Sequence, residues 1–255
     1  MEARMPVRRF LALAIALSWL AWLPATLIAG GATAIPGRVL HWVGGVGPLL
    51  ALIVALARSG SERALFRARL RVGPLASGYG LAALLLPIAF GAAAWGVQTA
   101  LTGRPPAWPA PGEVAALALP ALLSAPLVQE PAWRGYALPQ LLESHAPLAA
   151  GLAVGAASAA WHLPLFFIDG TQQAALGIAS AGAAHFFVAL LVDAVVLTWL
   201  VIRTGSLWSA VAYRWTTELA GAALDLPLEA ALVRTALALT FAAALVARGA
   251  LRPHS

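Results

Sequence analysis

The chain has 255 residues, 61% of them apolar and only 10% charged, with a formal net charge of +6 and no cysteine. A soluble domain carries about 25% charged and about 45–50% apolar residues, so this composition excludes a water-soluble globule and indicates a membrane protein. Without cysteine there is no disulfide, thiol nucleophile or thiolate metal site, and arginines that fall mainly in short loops between apolar runs leave no basic face for nucleic acid.

In chain order, the first apolar run follows Arg4, Arg8 and Arg9. It is longer than the roughly 7–15 residues of a signal-peptide core, and more runs follow, so it reads as an uncleaved first helix. The periodicity and run lengths predict spans at about 10–30, 39–57, 76–101, 114–128, 148–168, 176–202, 206–223 and 229–248. Each is near the roughly 20 residues that a helix needs to cross the hydrocarbon core. The expected fold is an all-α, polytopic transmembrane helical bundle of about eight helices, one membrane domain over residues 1–255. The stretch TGRPPAWPAPGE, rich in proline and glycine, reads as an external connection.

Orientation follows from the arginines, which are retained on the cytoplasmic side of short loops. Arg58, Arg63, Arg67, Arg69 and Arg71 follow the second span, Arg203 follows the sixth, and Arg248 and Arg252 follow the eighth. The opposite loops hold only Arg38 and Arg104, so both termini are expected to be cytoplasmic. Abundant alanine and arginine with no lysine point to a GC-rich bacterial genome and to the cell (inner or plasma) membrane, with the lipid bilayer as first partner.

Ionisable groups inside spans are costly unless they face a bundle interior or a wet cavity. Glu130 and Arg134, in LVQEPAWRGYALPQLLE, are four apart and share one helical face, which suits either a plain ion pair between helices or a site. Pro131 fits the first turn of a helix starting near Gln129. His162 in AASAAWHLPLFF is either a hydrogen-bonded packing residue or a ligand. His185 and Asp193, two turns apart, can pair with each other or with neighbours, and Arg214 and Glu218 have the spacing to neutralise one another.

Together these residues resemble the CPBP family of intramembrane proteases, which includes the type II CAAX prenyl endopeptidases and bacterial immunity proteins. Its first motif, Glu-Glu-x-x-x-Arg followed by glycine and aromatics, reads QEPAWRGYALPQL here. The second, Phe-x-x-x-His, reads SAAWHLPLFF with His162. The third, His-x-x-x-Asn or Asp after a short turn, reads RTGSLWSAVAYRWTTELAGA, with Tyr213 and Thr217 in those places. The core of the resemblance is about 114–225, and LSWLAWLPA and GVGPLLALIVAL extend it towards the amino terminus.

The resemblance implies a glutamate that activates water, two histidines and an asparagine that hold the water or a divalent metal (zinc) and stabilise the oxyanion. Glu130, Arg134 and His162 are retained. Gln129 replaces the leading glutamate, and a neutral amide cannot accept a proton. Tyr213 replaces the second histidine and Thr217 the asparagine. A refilled metal site would draw on His162 and Glu130 with His185 or Asp193, which are suitable ligand types. These three departures lead to an expectation of weakened hydrolysis.

The functional expectation is a CAAX-type intramembrane endopeptidase homologue that cleaves or binds membrane-associated, prenylated peptides. The alternative is a non-catalytic pseudoprotease acting as a binding or regulatory scaffold. A small-solute or proton pathway through Glu130, His162 and Asp193 ranks last, because paired inverted repeats and broken-helix signals are not evident in the sequence.

Overall fold

The computed structural model describes residues 4–103, 109–224 and 226–251. Among them there is no strand, and the chain is an all-α polytopic bundle. In order come α1 (Val7–Ala25), α2 (Ile35–Gly45), α3 (Gly47–Ala57), α4 (Gly60–Ala68), α5 (Gly78–Thr102), α6 (Pro111–Leu123) and α7 (Pro126–Ala132). After a wide turn follow α8 (Leu138–Leu142), α9 (Pro147–His162), α10 (Gln172–Leu176), α11 (Ala181–Thr204), α12 (Leu207–Leu224) and α13 (Leu228–Ala247). Arg104 and Arg252, on which the expected orientation draws, and residues 105–108 of the proline-rich connection lie outside the described residues.

Six helical stretches among the described residues are long and apolar enough to cross a membrane, or seven if α2 and α3 form one broken span. The α2–α3 pair bends by 41°. Gly44, Gly45 and Gly47 crowd the break, and Pro48 has no N–H to carry a helical ladder across it. The eight-span expectation is corrected at two places. The stretch expected at 206–223 is helical as α12, but it does not reach the same apolarity because Arg214, Glu218, Thr216 and Thr217 lie within it. The stretch expected to end at 128 continues as one apolar helical run to Leu142.

The chain divides into two compact units, Met1–Ala68 with Pro131–Leu191 and Arg69–Glu130 with Val192–Ser255. In the first unit α1 packs against α2, α3 and α9. Three indoles set this packing, because a polar N–H removed from water must find an acceptor. Trp161 Nε1 donates to Ser18 Oγ at 2.5 Å, Trp19 Nε1 to the Trp161 carbonyl at 3.2 Å, and Trp22 Nε1 to the His41 carbonyl at 2.9 Å. The Trp22 and Trp161 rings lie 4.6 Å apart.

Such close approach requires a small residue opposite Ser18. A Cβ on Gly47 would fall on the Ser18 hydroxyl and 2.7 Å from its backbone nitrogen, whereas one on Gly45 would meet nothing within 4 Å. Gly47→Ala is therefore expected to destabilise the protein by about 1–3 kcal/mol through overpacking. Gly45→Ala should be neutral or slightly stabilising, since alanine is the better helix former. Thermal unfolding of the two variants in detergent checks this, and equal midpoints would contradict the close α1–α3 approach.

The segment before α1 is tied down by charge. Arg4 makes a two-pronged bond to Glu143 at 2.6 and 2.7 Å, and its Nε lies 2.8 Å from Glu62, which is buried. The hydrogen bond to Glu143 raises the Arg4 guanidinium above its ordinary pKa, against some desolvation and with help from the Glu62 charge.

In the second unit α5 packs against α12 and α13, and α6 against α12. Gly205, at φ 62°, takes the left-handed conformation that ends α11 and turns the chain into α12. The free N–H of Leu207 at the start of α12 is satisfied by the Arg69 carbonyl at 2.8 Å. Ser206 Oγ donates to the Arg71 carbonyl at 2.6 Å and Trp208 Nε1 to that of Leu70 at 2.9 Å. Trp215 Nε1 reaches the Ala118 carbonyl at 2.7 Å.

Candidate functional site

The first motif lies on α7 and the turn after it. The expected helix start near Gln129 is corrected: α7 begins at Pro126, and the Gln129 N–H already donates to the Ala125 carbonyl at 2.8 Å. Pro126 takes the first-turn position, where a missing N–H is harmless, so Pro131 falls inside the helix. There it provides no bond to the carbonyl four residues back and its ring crowds that turn. The chain relaxes immediately afterwards into a π turn at Trp133–Ala137. Glu130 (1% exposed), Trp133 and Arg134 are buried on this segment, and Gln129 is half-buried.

Arg134, His162 and His185 belong to the first unit. His162 ends α9, and the chain continues as a short 3-10 turn, Leu163–Phe167, in which Pro164 has no N–H to extend the α-helical ladder. His162 is buried, with Nδ1 2.7 Å from the Ser158 carbonyl. A carbonyl can only accept, so that contact places a proton on Nδ1. The ring stands edge-on to Trp161 at 4.6 Å and to Phe186 at 5.2 Å, so its orientation is fixed by packing. His185 is half-buried on α11.

Gln129, Glu130, Asp193, Tyr213, Arg214, Thr217 and Glu218 belong to the second unit. Tyr213, 1% exposed, donates its phenol to Asp193 Oδ1 at 2.9 Å. Arg214 lies 2.9 Å from Glu218 and 3.8 Å from the other Asp193 oxygen. The Arg214–Glu218 pair expected from spacing is thus present. Glu130 and Arg214 lie in the same unit, as do Tyr213 and Arg234 on α13. Thr217 Oγ1 donates to the Tyr213 carbonyl one turn earlier at 2.8 Å. Its hydroxyl proton is spent on its own helix, as mid-helix threonines often spend it.

Two features escaped the sequence reading. The Tyr213–Asp193 bond joins α12 to α11 across 20 positions, and its only sequence signal was that a membrane-embedded aspartate needs a donor. Arg234 stands within the apolar run of α13, where the sequence marks no partner for it.

The donor set does not fit a metal. A catalytic zinc takes three protein ligands and keeps one open position. Among the described residues there is no group of three or more histidine, cysteine, aspartate or glutamate side chains able to hold an ion. Asp193, a proposed ligand, accepts from Tyr213 and faces Arg214.

Many apolar helices with buried acids, an arginine and a histidine among them define the class: a multi-pass membrane protein. Residues 111–220 match the family model described as type II CAAX prenyl endopeptidase Rce1-like, so this stretch is similar to that family. No curated protein matches the chain.

Proposed function

We propose that this chain is a CAAX-type protease homologue that binds membrane-associated, prenylated peptides and hydrolyses them weakly or not at all. The observation that carries this reading is the Tyr213–Asp193–Arg214–Glu218 network, which lies where the resemblance expects a second histidine and an asparagine. Hydrolysis of an amide needs a base near the operating pH and donors aimed at the developing oxyanion. Gln129 cannot take the proton. The Tyr213 phenol is committed to Asp193, and the Thr217 hydroxyl to the backbone.

What remains suits recognition. The first unit buries two polar side chains of the motifs, Arg134 and His162, in an otherwise apolar setting. In this reading the protein sits in the cell membrane with both termini cytoplasmic, where lipid-anchored peptide ends would be met.

The test compares purified wild type with His162→Ala on a fluorogenic prenylated CAAX peptide in detergent. Wild type is expected to bind the peptide and to release product no faster than His162→Ala. Cleavage by wild type that His162→Ala abolishes would make the chain an active endopeptidase and overturn the weakened-catalysis reading.

A further inference from the structure

Several indoles in this protein, buried or half-buried, find acceptors. Trp19, Trp22 and Trp161 each donate in the first unit, and Trp208 and Trp215 do so in the second. Trp133 departs from this pattern. It is fully buried at 0% exposure, and its Nε1–H has no acceptor among the described residues. A buried donor left without a partner costs more than a formed hydrogen bond returns, so each such group calls for an explanation.

Its location supplies a second observation. Trp133 is the first residue of the π turn, a deviation concentrated at functional sites. Its ring stands edge-on to Trp161 at 6.3 Å, and Trp161 in turn lies 4.6 Å from the His162 ring. The idle N–H therefore belongs to the aromatic cluster that fixes His162, all within the first unit.

The chemistry of the missing acceptor follows from the donor. An indole N–H is neutral and donates only. In an apolar aromatic cluster a carboxylate or phosphate would be heavily penalised on leaving water, and a cation has nothing to accept with. A neutral carbonyl fits, and an extended peptide brings many, each needing a donor once it leaves water.

We propose that Trp133 is a positioning residue whose indole N–H donates to one backbone carbonyl of the bound membrane-associated peptide. This rests on the peptide-binding reading above and adds the atom that sets the peptide's register.

The test uses full-length protein in phosphatidylcholine nanodiscs and a fluorescein-labelled farnesylated CAAX peptide, with Kd read by anisotropy. Trp133→Phe keeps a ring and removes the N–H. It is expected to weaken binding about five- to tenfold, while the peptide-free protein melts at the same or a higher temperature because a buried idle donor is gone. A second arm replaces the peptide carbonyls one at a time with thiocarbonyls, which are weaker acceptors. One position should weaken binding to wild type, and that penalty should vanish in Trp133→Phe.

Equal Kd for wild type and Trp133→Phe would overturn the proposal and assign the N–H to a lone bound water. So would a lowered melting temperature with no position-specific thiocarbonyl effect, which marks a packing role alone. Failure of wild type to bind the peptide would remove the peptide-binding reading as well. Binding that ignores Trp133 would remove only this inference.

Discussion

A chain carrying Gln129→Glu, Tyr213→His and Thr217→Asn together is expected to cleave the prenylated CAAX peptide about 10²–10⁴-fold faster than wild type, the range that a positioned general base contributes. The three positions lie in one unit, and each replacement answers a specific deficit. A carboxylate at 129 accepts the proton that an amide refuses. An imidazole at 213 would inherit Asp193, now 2.9 Å from the Tyr213 oxygen. A carboxylate behind an imidazole fixes its tautomer and raises its basicity. An amide at 217 removes a hydroxyl that donates back to the Tyr213 carbonyl and puts a longer donor in its place. Gln129→Glu alone should gain far less, because groups that act as a unit are strongly non-additive. Progress curves in detergent, with His162→Ala added to the triple variant as control, read the outcome. A triple variant as slow as wild type would show that these positions do not account for the missing chemistry.

Asp193→Ala is expected to lower unfolding stability by about 3 kcal/mol, near the lower end for breaking a buried charged network. Two facts set the estimate. Asp193 accepts from a phenol that is itself 1% exposed, so truncation leaves a buried donor with nothing to meet. Arg214, by contrast, keeps Glu218 at 2.9 Å and loses only a 3.8 Å neighbour, which moderates the loss. Asp193→Asn retains an acceptor for Tyr213 and should cost less. Tyr213→Phe removes the donor, so the double variant with Asp193→Ala should be less destabilised than the sum of the two. Denaturation monitored by tryptophan fluorescence in one detergent checks all four. Additive losses would show that the phenol and the carboxylate are energetically independent.

Much of the architecture was readable because a bilayer enforces a simple rule. An apolar run near 20 residues must be helical to satisfy its backbone, and runs such as Gly78–Thr102 and Ala181–Thr204 obeyed it. The Arg214–Glu218 pair was readable for a similar reason, since i,i+4 spacing is local. The break between α2 and α3 was less legible, because 39–57 is apolar throughout and only its glycines and Pro48 mark the bend. Pro131 misled for a clear reason. Proline is most at home in a first turn, but Pro126, five residues earlier, had already taken that place. In the candidate site, the motif residues announced themselves by type and spacing, whereas the Tyr213–Asp193 bond and the idle indole of Trp133 arise from tertiary packing that no local pattern encodes.

The π turn also alters the phase of the polypeptide. Relative to an unbroken α-helix it contains one surplus residue, and each residue in such a helix advances the side-chain direction by about 100°. Leu138 and Leu141, both buried in α8, therefore point where a plain 3.6-residue count from Pro126 would not put them. A single-residue deletion between Trp133 and Ala137 would let the segment close into continuous α-helix and rotate both leucines together off the core. The surplus residue thus sets the angular offset between Ala132, the last residue of α7, and the apolar anchor in α8.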